Sequence, residues 1–252
     1  MKVFDIVKPG TNIVLQGFSD EERHRVESLV FAITRAFETA AVALEMFKTA
    51  SAESRLIVNS REEFQYRRAR TEELRKELDS KSIAAQLDLD AMHKRDNEIT
   101  RLFLVEQWRK GEVPSAFKSH KVAIVARAFI FALDEFEKCL KKLTKKVLPG
   151  WNGLAKVYDE MLAEFGSVYD VRNTAHHLED RILGQNRHGD KIVPGGGVFI
   201  ENFDGSRYMT LLENGQQGYV DISDESMDRL GAVLISFYAC FTWDGRESLL
   251  VY

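Results

Sequence analysis

The chain has 252 residues, 44% of them hydrophobic and 29% charged, with only four prolines, which excludes a disordered or fibrous chain. A formal net charge of −4 and a pI near 5.9 exclude a global positive field, so any contact with nucleic acid must come from a local patch. No apolar run reaches the roughly 18 residues of a bilayer span, and the first residues lack the basic and apolar regions of a secretory signal, so a cytoplasmic protein without a membrane partner is expected. Cys139 and Cys240 lie in apolar helical patterns without metal-ligand spacing; they read as reduced core residues, and neither a metal nor a cofactor is expected.

Residues 3–15 alternate around Pro9-Gly10, which predicts an N-terminal hairpin within 1–18. Ser19 and Glu22 have capping-box spacing, and Val26, Val30, Ile33, Phe37 and Leu44 follow at helical intervals, so a long amphipathic helix begins there. Between Arg61 and Ser80 six basic residues stand against six acidic ones, the dense but neutral charge of an exposed, salt-bridged helix. A helix through Ile99, Phe103 and Trp108 ends near Gly111, and the next, from about Ser115 to Leu148, carries a stripe from Val122 through Phe129, Leu133, Phe136 and Leu140 to Val147. Leu148-Pro149-Gly150 stops it, and a helix from about Asn152 to Leu183 follows.

The period then changes. Apolar alternation in 198–201, 207–211 and 218–221, divided by Asp204-Gly205 and Asn214-Gly215, predicts a three-stranded antiparallel meander within 195–222, and Ser223 caps a closing helix over 223–243. The fold class is therefore mainly α, a helical bundle over 19–183 with a small antiparallel β-meander near the C-terminus, in a single domain of 1–252. Gly195-Gly196-Gly197 lacks the helix and Lys-Ser/Thr of a phosphate-binding loop and reads as a connector, and His24, His93, His120 and His188 show no metal spacing.

The chemistry concentrates in Arg172-Asn173-Thr174-Ala175-His176-His177. At 100° per residue Arg172 falls on the apolar stripe of its helix, with His176 about 40°, Asn173 about 100° and His177 about 140° away. A charge on such a face needs a partner or a wet cleft. One solution is an internal ion pair with Glu179 or Glu137 and a hydrogen-bonded core histidine.

The run also resembles the Arg-x4–6-His motif of HEPN proteins, in which a polar residue commonly follows the arginine; Arg172, Asn173 and His177 carry the resemblance, and the segment from Ala175 to Ile182 is similar to that of HEPN-type bacterial proteins, abortive-infection families among them. The resemblance implies a HEPN-like bundle and metal-independent RNA cleavage through attack of a 2′-hydroxyl on the adjacent phosphate. It implies His177 as acid and base, Arg172 as the group that neutralises the phosphoryl oxygens, and Asn173 as its orienting neighbour. Motif spacing selects His177, whereas helical facing selects His176.

A homodimer with facing motif helices, a toxin or phage-defence role and a cognate inhibitor protein are implied in the same way. The alternative is a non-catalytic helical-bundle protein that binds or scaffolds. Lys138, Lys141, Lys142, Lys145 and Lys146 share one face in ideal helical geometry, a candidate track for an RNA backbone or simply a solvated helix end complementing the dipole.

Overall fold

The first helix starts at a reciprocal cap: the backbone N–H of Ser19 donates to a Glu22 carboxylate oxygen at 2.9 Å while the Glu22 N–H donates to Ser19 Oγ at 3.3 Å. A computed structural model describes residues 6–58, 61–81, 89–113, 117–151, 153–177, 188, 191 and 201–250. The chain is mainly helical with a small antiparallel meander near its C-terminus: β1 (Ile6–Lys8), β2 (Asn12–Ile13), α1 (Asp20–Val58), α2 (Arg61–Lys81), α3 (Leu89–Arg109), α4 (Lys118–Lys142), a π-helical segment (Leu143–Val147), α5 (Leu154–Phe165), α6 (Val168–His176), β3 (Asn202–Asp204), β4 (Arg207–Leu211), β5 (Gln217–Asp221), α7 (Asp224–Tyr238), β6 (Trp243–Asp244) and β7 (Ser248–Leu250). Two compact units divide the chain, Met1–Phe47 with Ile124–Tyr252, and Lys48–Ala123.

In the first unit the core is built from residues at the predicted helical spacing. Ile33, Phe37 and Leu44 of α1, Phe129, Leu133, Phe136 and Leu140 of α4, and Leu230, Leu234 and Phe237 of α7 are all fully buried. A hydrogen bond of 2.8 Å between the hydroxyls of Thr34 and Tyr238 links α1 to α7 inside this core.

The meander has the order β3-β4-β5 and is antiparallel throughout. Its turns use the residues that the sequence offers, with Gly205 at φ +64° and Gly215 at φ +78°, conformations that cost a side chain steric strain. The first strand starts at Asn202, and residues 198–200 of the expected strand, like the glycine connector, lie outside the described residues. Arg127 of α4 clamps the chain just before β3 by donating to both carboxylate oxygens of Glu201, at 3.0 and 2.8 Å.

Several sequence expectations change in three dimensions. The N-terminal strands do not form a hairpin with each other: β1 pairs antiparallel with β7 and β2 with β6, so both ends of the chain share two small ladders. Alternation gave the strands, but burial of Ile6 against α7, where Gly231 leaves room for it, chooses their partners. The closing helix stops at Tyr238 rather than 243, because the chain turns to bring Trp243 into β6 and its indole N–H onto the Tyr238 carbonyl at 2.8 Å. Cys240 therefore sits in a turn; it and Cys139 are free thiols, both pushed up in pKa chiefly by burial.

The expected helix from Asn152 to Leu183 is two helices, α5 and α6, separated at Gly166-Ser167, and 178–183 lie outside the described residues. Gly166 has no Cβ to meet the Leu162 carbonyl oxygen, which would stand 2.7 Å from one, and Gly and Ser are both weak helix formers. The long helix after Pro114 similarly gives way at Leu143 to a π turn, in which the Leu148 N–H reaches the Leu143 carbonyl at 2.8 Å.

The second unit contains an antiparallel pair, α2 and α3. The densely charged α2 is one half of a helical hairpin: Leu74 packs with Ile99 and Phe103, and Leu78 and Leu102 flank them. Ion pairs Arg70–Glu106 at 2.8 Å, Arg75–Asp96 at 3.3 Å and Arg95–Asp79 at 3.0 Å run along the same seam. The acidic and basic residues thus have partners across the hairpin as well as along each helix.

Truncating the α4 stripe should reveal which face is core. Phe136→Ala is expected to lose about 3–5 kcal/mol in urea unfolding, whereas Phe131→Ala, at a ring 36% exposed, should lose about 1 kcal/mol or less.

Candidate functional site

The stripe of α4 that meets α6 contains one acidic residue, Asp134, whose side chain is only 5% exposed. A buried carboxylate needs cationic partners, and two approach the same oxygen. Lys138, one helical turn on, donates to Oδ2 at 2.7 Å, and Arg172 of α6 brings Nε to 3.0 Å from it. The Arg172 contact has the separation of an ion pair, but its Nε–H does not point along a hydrogen bond, and Asp134 Oδ1 has no hydrogen-bond partner among the described residues.

Arg172 is further fixed by Asn173, whose Oδ1 accepts from Nη1 at 2.8 Å, and by Phe131, whose ring centroid lies 5.8 Å from the guanidinium carbon. The Arg172 side chain as a whole is 23% exposed, while its Nε is buried. The internal pair expected with Glu179 or Glu137 is replaced by Asp134: Glu137 accepts the Tyr158 hydroxyl at 2.8 Å instead, and Glu179 lies outside the described residues. In α6 the buried residues are Val168, Val171, Thr174 and Ala175, so Arg172 lies at the edge of the buried face rather than along its middle.

His176, one turn beyond Arg172, stands edge-on to the same Phe131 at 6.3 Å between centroids, so the two share a face. His177 is the C-terminal cap of α6, with φ −110° and ψ 50°, and its ring meets that of His176 at 4.9 Å. His176 is exposed and His177 half-buried. Facing thus puts His176 beside Arg172, while His177 joins the group through its ring contact with His176. Asn173 also lines a cavity of about 210 Å³ between α6 and the β4–β5 turn, with Tyr169, Asp170 and Glu213.

Three of the five lysines, Lys138, Lys141 and Lys145, reach one group of side chains around Asp134 and Tyr158. Lys138 is committed to Asp134, and Lys145 lies 4.9 Å from the centre of the Tyr158 ring. A π turn spans Leu143–Val147, and Lys145 within it reaches the Tyr158 ring, which shares a cavity with Asp134 and Lys141. Lys141 lines a second cavity of about 230 Å³ together with Asp134, Glu137, Tyr158 and Tyr169. Burial, followed by the bond to Glu137, pushes the Tyr158 phenol up to about 12.

Asp134 and Phe131 were missed in the sequence; the available signal was an aspartate beside Leu133 in an apolar stripe, with a lysine four residues later. Among the described residues no group of three His, Cys, Asp or Glu side chains is placed to hold a metal ion, and no helix is long and apolar enough to cross a membrane. Comparison with protein-family models, with curated proteins and with solved structures finds no match.

Two measurements follow from this geometry. Asp134→Asn should cost about 2 kcal/mol in chemical denaturation, below the 3–5 of a fully buried pair because both cations reach solvent, and Arg172→Ala should cost less because Lys138 still compensates the carboxylate. The neutral Tyr158 phenol contributes stability that is complete below pH about 10, where the unfolded group ionises, and lost as pH rises through about 12. The stability gap between the parent and Tyr158→Phe should therefore narrow across that window.

Proposed function

We propose that the C-terminal end of α6 is the phosphate-handling part of a metal-independent endoribonuclease of the HEPN kind, as its motif implies. The observation that supports this reading is the partly exposed Arg172 side chain, held between Asp134 and Asn173, with two imidazoles on the next turn. A planar, always charged fork fixed by a carboxylate is prepared to bind the oxygens of a phosphodiester and the charge that develops on them.

In this reading an imidazole of the His176–His177 pair takes the proton of a ribose 2′-hydroxyl as its oxygen attacks the adjacent phosphorus. The bond from phosphorus to the 5′-oxygen breaks, and that oxygen receives a proton from an imidazolium. The products are a 2′,3′-cyclic phosphate and a 5′-hydroxyl. Histidine suits both transfers because its ordinary pKa of about 6.5 allows proton exchange near neutrality. Lys138, Lys141, Lys142, Lys145 and Lys146 belong to this reading as a track for the RNA backbone. A homodimer that brings two α6 ends together, a toxin or phage-defence role and a cognate inhibitor belong to the same proposal.

A second reading is favoured by one observation, the two cations on the buried Asp134: Arg172 is then a structural counter-ion, and the chain a non-catalytic binding or scaffold protein. Purified protein incubated with mixed cellular RNA in EDTA distinguishes them. The nuclease reading expects fragments ending in cyclic phosphate, a mass in light scattering of twice 28.8 kDa, and losses of about 100-fold or more for Arg172→Ala and for one of His176→Ala and His177→Ala with little change in Tm. Indifference of the RNA to the parent protein, with Arg172→Ala affecting only the melting curve, sinks it in favour of the scaffold.

A further inference from the structure

The end of the α2–α3 hairpin departs from the rest of the molecule in both charge and exposure. Residues 61–70 and 105–121 hold eight arginines and lysines against four glutamates, in a chain whose net charge is −4. Over the same stretches Phe64 is 66% exposed and Trp108 54%, and Tyr66 and Phe117 are also exposed. Four large aromatic rings in water on so polar a unit are costly to leave uncovered.

Two of the four rings, Trp108 and Phe117, are in contact with each other. Trp108 meets Phe117 at 6.2 Å with 35° between planes, and Phe117 meets His120 at 6.1 Å with 41° between planes, a short run of tilted rings. Tyr66 is joined to the end of α3 by Lys110, whose ammonium lies 5.9 Å from the ring centre and 3.2 Å from the hydroxyl. Some cations there are committed, Lys110 to Glu106 and Lys121 to Glu53. Arg109 and Lys118, next in sequence to Trp108 and Phe117, have no ion pair among the described residues.

We infer that this end of the hairpin is a stacking platform for single-stranded nucleic acid, the bases lying on Trp108 and Phe117 and the phosphates on Arg109 and Lys118. Tilted rings beside Arg109 and Lys118 repeat the two needs of such a strand, a face for each base and a positive charge for each phosphate. Protein-binding surfaces also favour aromatics and arginine, but they are depleted in lysine. The two-to-one excess of basic residues is complementary to a polyanion. This surface acts whether or not α6 is catalytic.

The test is fluorescence anisotropy of a labelled oligothymidylate of about 12 nucleotides, a DNA probe without the 2′-hydroxyl that cleavage requires. Trp108→Ala and Phe117→Ala should each weaken binding about tenfold, and Trp108→Phe should keep most of it. Replacing Arg109 and Lys118 together by alanine should lower the slope of log K against log salt by about 1.4. No binding at low salt, or binding that the aromatic variants leave unchanged, overturns the proposal, as does retention of a partner protein by the same residues without affinity for the oligonucleotide.

Discussion

The Asp134 carboxylate lies on a helix whose neighbouring positions are Ile130, Leu133 and Phe136, all fully buried, and a negative charge in that setting is tolerable only with positive charge brought to it. Lys138 supplies one cation from the same helix, at the spacing that an α-helix always makes available. Arg172 supplies the second, and because it belongs to α6 it fixes which face of that helix turns toward α4. The placement of Asn173 against the β4–β5 turn and of His176 against Phe131 follows from that orientation.

The rest of the first unit supports this arrangement from two sides. The meander packs against α6 through β4 and β5, with Tyr208 and Val220 buried and the Ser167 hydroxyl donating to the Tyr219 carbonyl at 3.2 Å. Pairing of the chain ends in β1–β7 and β2–β6 closes the unit beside α7, and the Trp151 indole, bonded to the Cys240 carbonyl at 2.9 Å, ties the start of α5 to the turn after α7. A side chain that is both charged and partly exposed, as Arg172 is, keeps one geometry only when its surroundings are this firmly held.

The same ion pair gives Arg172 two roles that are hard to separate by inspection. A carboxylate that neutralises a buried cation and one that aims a guanidinium at a phosphate have identical geometry, since both fix the planar fork. The distinction lies in what else the fork meets. The neighbouring imidazoles of His176 and His177, rather than the ion pair itself, give the nuclease reading its chemistry.

Local patterns in the sequence determined most of the elements: the Ser19–Glu22 cap, the apolar stripe of α4, the Gly205 and Gly215 turns and the charged α2 each depend on residues a few positions apart, and spacing along the chain reports such interactions directly. The same locality located the Arg172–His177 run. What only the tertiary structure decided are the choices between distant partners that local rules permit equally: β1 with β7 instead of β2, and Arg172 with Asp134 instead of Glu137. Those choices follow from burial and charge compensation summed over residues far apart in sequence, such as Asp134 and Arg172, and no periodicity within either segment records them.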